Sequence, residues 1–272
     1  MVVEKLLIIG KTQPDWAKRE GDIVSCTVGI TNGFEWRRLR HAKLSHVREL
    51  RTFTWAEIDM VSPTGANRDP RSESRMLNRA NPSPINVIDR LENKQARKWY
   101  IEQCVQQSVA QMQDEKKTLG IVKPLDLEFT IGKPKETVED EAQVSLLDWF
   151  AVDDPSLYYL KEQIERKKEY ASKKVEVRFQ FRCGPDCETK RPHDMIMLDI
   201  ELFMLFNNCS SRRDSFEAAV DCMSKRIEKE HRNKDVFLGL GTHRGYPFKS
   251  YMVGSAMRFD KGLSSKQPTE VW

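Results

Sequence analysis

The chain has 272 residues, 39% of them hydrophobic and 32% charged, with a formal net charge of +4. With a mean hydropathy of -0.62, that balance excludes a disordered or membrane-embedded chain, and no apolar run approaches the roughly 20 residues a spanning helix needs. Six scattered cysteines, Cys26, Cys104, Cys183, Cys187, Cys209 and Cys222, do not form the framework of a small secreted protein, so a reducing cytoplasmic setting is expected.

Taken in chain order, the first 62 residues predict β structure in "EKLLIIG", "DIVSCTVGI", "FEWRRLR" and "FTWAEIDMV". The short run Leu6 to Ile9 has no basic leader and no small-residue cleavage site beside it, and reads as a strand and not a secretion signal. The Asn32-Gly33 pair between two strand-like runs is a hairpin signal. Residues 63–84, rich in Pro, Gly, Asn, Ser and Arg, predict a long loop. Next, Val87, Ile88, Leu91, Trp99, Cys104, Val105, Val109 and Met112 recur at three- and four-residue spacings, which predicts an amphipathic helix or helix pair ending at Gly120. "IVKPLDLEFTI" returns to strand, and residues 133–145 predict an exposed acidic excursion.

The last third is more legible. Val175, Val177, Phe179 and Phe181 alternate along "KKVEVRFQFRC" as on a half-buried strand. After a cysteine loop come "MIML", a helical run "DIELFMLFNNC", a second helix with Phe216, Ala219, Val220, Met223 and Ile227 on one face, and the strands "DVFLGLGTH" and "SYMVGSAMRF". The expectation is an α+β protein with a small antiparallel N-terminal sheet or barrel: a basic β-rich domain over 1–84, a helical segment over 85–124 and an α+β domain over 125–272.

Two stretches carry chemistry. In "FRCGPDCETKRPHDMIMLDIELF", Cys183 and Cys187 flank a Gly-Pro turn and His193 follows. A three-residue spacer suits paired zinc ligands, which predicts a zinc knuckle, with Cys209, Cys222 or His243 as sources of a fourth donor. Free thiols and a disulfide are the alternatives. Asp199 and Glu201, with Lys249 further on, could serve a metal-dependent nuclease, but Asp199 sits where a helix begins and is placed as its N-cap. His243, in the glycine-rich "GLGTHRG", is a third catalytic candidate. No phosphate-loop, dinucleotide, zinc-protease or nucleophile-elbow motif is present.

The second stretch, "WRRLRHAKLSHVRELR", sets Arg37, Arg38, Arg40, Lys43, Arg48 and Arg51 against the single acid Glu49, with Trp36 before them and Trp55 just beyond. Forked guanidinium donors suit phosphates and aromatics suit base stacking, so this segment, with the later cluster Arg68, Arg71, Arg75 and Arg79, predicts a nucleic-acid groove. A sheet edge guarded by charge is the plainer alternative.

The segments "GKTQP", "VSCTVGI", "EWRRL", "LGIVKP", the Cys183–Cys187–His193 loop running into "MIMLDIEL", and "VFLGLGTH" together resemble an uncharacterised family of prokaryotic hypothetical proteins. The resemblance covers most of the chain, implies that the cysteine loop and the following Asp-x-Glu segment recur as a unit, and carries no activity. The functional expectation is a zinc-braced nucleic-acid-binding protein with no membrane partner. A metal-dependent phosphodiesterase or nuclease, and a scaffold subunit in a larger protein assembly, are the alternatives.

Overall fold

A computed structural model of the chain describes residues 2–17, 22–65, 68–134, 175–184, 187 and 191–268. They form two seven-stranded sheets. The acidic excursion expected over 133–145 lies almost wholly outside the described residues.

The first sheet comprises β1 (Val2–Lys11), β2 (Asp15–Ala17), β3 (Asp22–Ile30), β4 (Trp36–Lys43), β5 (Thr54–Val61), β6 (Ser74–Leu77) and β7 (Ile85–Arg90), with the single-turn helix α1 (Leu44–Val47) after β4. β1 pairs with β3 on one side and β5 on the other, β3 pairs with β4, and β6 closes the gap, parallel to β4 and antiparallel to β5. Five strands therefore form a closed barrel, with β2 and β7 added outside the circuit. Counting only barrel strands in chain order, the circuit runs 1-2-3-5-4-1, that of the five-stranded Greek-key OB barrel.

The run Leu6–Ile9 is continuous in apolar residues because β1 is covered on both faces. Leu6 and Ile8 join Leu39, Ala42, Ile58 and Met60 in the barrel interior. Leu7 and Ile9 join Ile30 and Trp55 in a second cluster with Tyr100, Ile101, Phe237, Met257 and Phe259. The Asn32-Gly33 hairpin forms with a five-residue loop, in which Glu35 N–H donates to Thr31 Oγ1 at 3.1 Å and Phe34 takes the left-handed region at φ 61.

The second sheet, in the order β10-β11-β12-β14-β13-β9-β8, is built from β8 (Val105–Gln106), β9 (Leu119–Val122), β10 (Leu125–Gly132), β11 (Glu176–Arg182), β12 (His193–Met197), β13 (Lys234–Thr242) and β14 (Tyr251–Asp260). Between the sheets in sequence lie α2 (Lys94–Glu102) and α3 (Val109–Asp114), while α4 (Ile200–Ser210) and α5 (Phe216–His231) follow β12. Leu202, Phe206, Ala219, Met223 and Ile227 of α4 and α5 share a core with Val177, Phe179, Phe181, Leu240 and Val253 of the sheet. Side chains of Asn93, Ser108, Asp199 and Ser215 cap the four helices, each accepting from a backbone N–H of the first turn.

Three expectations change. Val87 and Ile88 lie on the exposed edge strand β7 and not on a helix, because the β5 ladder offers a partner that helical spacing cannot reveal. The predicted loop 63–84 contains β6, a four-residue strand too short and polar to show alternation. Residues 85–124 are therefore not one helical segment: they begin with a strand of the first sheet and end with two of the second.

The sheets meet along a seam. Gln13 N–H donates to Leu198 O, and Thr12 bridges Asp199. Close approach depends on Gly10, where a Cβ would lie 2.8 Å from Ser255 Cβ on β14, while Gly239, the partner of Ser255 within the second sheet, leaves room for its hydroxyl. Among the described residues no helix is long and apolar enough to cross a membrane.

Candidate functional site

A cleft of about 710 Å³ opens at this seam. Its barrel wall is the outer face of β3 and β4, with Val24, Cys26, Val28, Trp36, Arg38 and Arg40. Two loops frame it: Thr12 to Asp15 between β1 and β3, and Arg68 to Arg71 between β5 and β6. The opposite wall is the end of β13 and the turn after it, Gly239 to Gly245, with Gly254 and Ser255 of β14. Period-two alternation turns Trp36, Arg38 and Arg40 toward the cleft while Leu39 enters the barrel core. At Arg40–His41 the ladder slips: Ser25 pairs with Ala42 and Thr27 with Leu39, leaving two residues of β4 opposite Cys26. This bulge places His41 at the cleft with φ 47, a conformation that a β-carbon makes unfavourable.

Among the described lining residues are Arg38, Arg40, Arg68, Arg71 and Arg244 and the carboxylate Asp15, while Lys11 lines the cleft but its ammonium donates to Val47 O at 2.8 Å, outside it. The floor is an ordered network. Arg38 Nη1 donates to Thr242 O and Nη2 to Thr118 O, both at 2.8 Å, and Nη2 lies 3.2 Å from Glu73. Arg71 donates to Thr242 O as well, and grips Asp69 with two bonds of 2.9 and 2.7 Å. Asp69 also pairs with Arg40 at 2.9 Å. Burial, and then the neighbouring charge of Arg71, lowers the Arg38 pKa to about 10. Burial lowers that of Arg40 too. Burial opposes ionisation of Asp69, but its bonds to Arg71 and the charges of Arg71 and Arg40 hold it well below the usual carboxylate range.

The segment Trp36–Arg51 and the later arginine cluster thus meet in one place, through Trp36, Arg38, Arg40, Arg68 and Arg71. Other expected contacts lie elsewhere. Arg37 pairs with Glu4 at 2.6 Å and Glu35 at 2.7 Å. Lys43, Arg48 and Arg51 are exposed around α1 and do not line the cleft. Trp55 is 1% exposed and packs edge-on against Tyr100, so its ring is not presented for stacking. Sequence reading missed Asp69, Glu73, Thr118 and Thr242, the anions and carbonyls that order the floor. The mixed charges of "NRDPRSESR" were the only local signal.

The cysteine loop closes the β11–β12 hairpin. Pairing of Phe181 with His193 sets the register, and ligand atoms of Cys183, Cys187 and His193 all lie within 4.8 Å of one another. The three lie close enough to hold a metal ion, and among the described residues they are the one such group of three or more. Cys187 Sγ is 3.4 Å from His193 Nε2, and the N–H of Val109 donates to Cys183 Sγ at 3.4 Å. A backbone N–H aimed at a sulfur, two thiols and an imidazole make a donor set that suits a thiophilic ion. Burial, and then the Cys187 thiol, pushes Cys183 up to about 11, and burial lowers His193. None of the fourth donors expected from Cys209, Cys222 or His243 joins this group; Cys209 and Cys222 contact each other instead.

Asp199 and Glu201 do not converge on a site. Asp199 is buried as the N-cap of α4, its Oδ1 accepting from Glu201 N–H at 2.8 Å and its Oδ2 from Ala256 N–H at 3.3 Å. Glu201 turns outward to Thr52 at 3.4 Å. His243 lines the cleft, with Nδ1 accepting from Gly245 N–H at 3.1 Å. Lys249 does not line it.

Residues 2–103 match the model of a domain of unknown function (DUF8758), and residues 101–267 match that of a second (DUF8757). Their junction falls at the end of α2, between the last strand of the first sheet and the first of the second. No curated protein matches the chain.

Proposed function

The chain belongs to the family of the domain of unknown function DUF8757, a description that carries no activity, and we propose from its geometry that it binds a nucleic-acid strand in the basic cleft. One observation carries this reading. The cleft is bounded by the second and third barrel strands and by the loops joining strands one to two and four to five, which are the elements OB barrels use for oligonucleotides and oligosaccharides. The five arginines of the lining, with Asp69 and Glu73 paired to the buried three, favour the polyanion over the neutral sugar. Trp36 supplies a stacking surface.

Zinc is the metal we assign to Cys183, Cys187 and His193, since thiolate and imidazole donors suit it. None of the three lines the cleft, so its role is to brace the β11–β12 hairpin. Six cysteines with no disulfide among them fit a reducing cytoplasm. The nuclease reading loses support from the burial of Asp199.

The test is binding of a labelled single-stranded oligonucleotide across salt. Affinity is expected to fall steeply between about 50 and 200 mM salt, with a logarithmic slope of about -0.7 per phosphate neutralised. Arg68→Ala and Arg244→Ala, at the mouth, should each flatten that slope by about one such step. Absent or salt-insensitive binding would overturn the reading.

A further inference from the structure

The wall of the cleft opposite the barrel presents bare backbone, with Gly239 and Gly241 of β13 and Gly254 of β14 all lining it. For the first two the protein's own packing is the reason: a Cβ on Gly239 would collide with Ser255 Oγ, and one on Gly241 would lie 3.3 Å from Leu119 Cδ2. Gly254 is different. Among the described residues a Cβ there would meet only the carbonyl oxygen of Gly239, at 3.8 Å, an ordinary contact. Its backbone also lies outside the left-handed region, which among the described glycines holds Gly65 and Gly262. Neither sterics nor φ therefore asks for glycine at this point of β14, a strand flanked by β12 and β13. A glycine inside a strand weakens it and marks a place where a ligand or another backbone comes close; no other backbone of the described residues stands there.

The strand ladder delivers this patch to the cleft. Gly239 pairs with Ser255 and Leu240 with Val253, so Gly254 is the extra residue of a bulge, and it lines the cleft beside Ser255 and Met252 while Val253 enters the core. On the barrel wall stand Val28 and Trp36, half-buried like Met252. An indole on one wall and bare backbone on the other suit a flat aromatic ring, and a thioether beside it adds a favourable contact with the ring edge. We infer that the cleft takes up one nucleobase of the bound strand, stacked on Trp36 with its other face over Gly254. The rim is what makes the ring a nucleobase: Arg68 and Arg244, exposed at the mouth, supply cations for the phosphates that flank it. A cavity of about 710 Å³ is in the range of small-ligand sites and has room for such a ring with its sugar.

This inference rests on the proposed strand binding, and the experiment separates the two. The full-length protein is titrated with a labelled single-stranded oligonucleotide and with a base-free strand of the same phosphate count. The strand with bases should bind about tenfold tighter, the gain expected of one base stacked on an aromatic side chain. Gly254→Leu, which fills the space over Gly254, should erase that gain while leaving the base-free affinity, the salt slope and the melting temperature as in wild type. Gly254→Ala, a smaller intrusion, is the second variant and should reduce the gain in part. Equal binding of both strands by wild type overturns the inference and leaves the proposed function standing. A folded Gly254→Leu or Gly254→Ala protein that keeps the full gain places the base elsewhere and also overturns it. If neither strand binds, strand binding falls, and adenosine monophosphate then decides the slot: binding to wild type that Gly254→Leu or Gly254→Ala weakens supports it, and no binding overturns it.

Discussion

At the scale of single residues, Trp36 and Trp55 come from strands consecutive in sequence and have opposite fates. Trp55 is 1% exposed in the cluster shared by barrel and second sheet, whereas Trp36 stands half-buried on the cleft wall. Trp55→Ala should therefore cost about 3–5 kcal/mol of stability in denaturant unfolding. Trp36→Ala should leave the melting temperature near wild type and weaken strand binding by about 1–3 kcal/mol. Asp199 makes a second residue-level case. Burial, then the charge of Glu201, raises its pKa from the ordinary 3.8 to about 7. A raised folded-state pKa means that its stabilising contribution is fully present below the unfolded value and is lost as pH climbs through 7. Thermal stability should fall by about 1 kcal/mol between pH 6 and pH 8. Asp199→Asn keeps the cap and should remove that slope; an unchanged slope would point to another group. The capping role of Asp199 was readable from its place before a helical run, but its burial under Ala256 was not, since the contact spans 57 residues.

At the scale of elements, the β11–β12 hairpin and the β5–β6 loop were differently legible. In the hairpin the ligands are near in sequence, and alternation of Val177, Phe179 and Phe181 already fixes which way Cys183 faces. Elemental analysis of the purified protein should find about one metal ion per chain. Cys183→Ser and Cys187→Ser should each lose it and lower the melting temperature, as should a strong chelator. Metal-free wild type with unaltered melting would leave the two cysteines as plain core thiols. The β5–β6 loop shows no periodicity because its residues answer to distant partners: Arg71 to Thr242, and Asp69 to Arg40. A charged loop of this kind looks like solvated linker until the strand it faces is known.

At the scale of the molecule, barrel and second sheet are not separable bodies in the described residues. Leu7, Ile9 and Trp55 share a buried cluster with Tyr100, Ile121, Phe237 and Phe259. Arg38 crosses the seam to the carbonyls of Thr118 and Thr242. Two units sharing a core should unfold together, so calorimetry and far-ultraviolet circular dichroism should report one coincident transition. Two resolved transitions would mean that the seam contributes little to either part. The cleft belongs to this scale as well, because neither sheet encloses it alone.

The sequence by itself determined the α+β class, the strand-forming runs of the first 62 residues, the Asn32-Gly33 hairpin, the helix cap at Asp199, and the clustering of Cys183, Cys187 and His193. All of these depend on neighbours within about a dozen positions, through alternation, helical spacing, turn chemistry and capping. Tertiary structure alone decided that β6 closes a barrel, that Val87 and Ile88 extend a sheet edge, and that Trp55 is core while Trp36 is wall. It also decided that arginines from two separate segments converge on Thr242 across 204 and 171 residues. Strand pairing and ion pairing at such separations are set by which surfaces bury best together, and the chain carries no local mark of that choice.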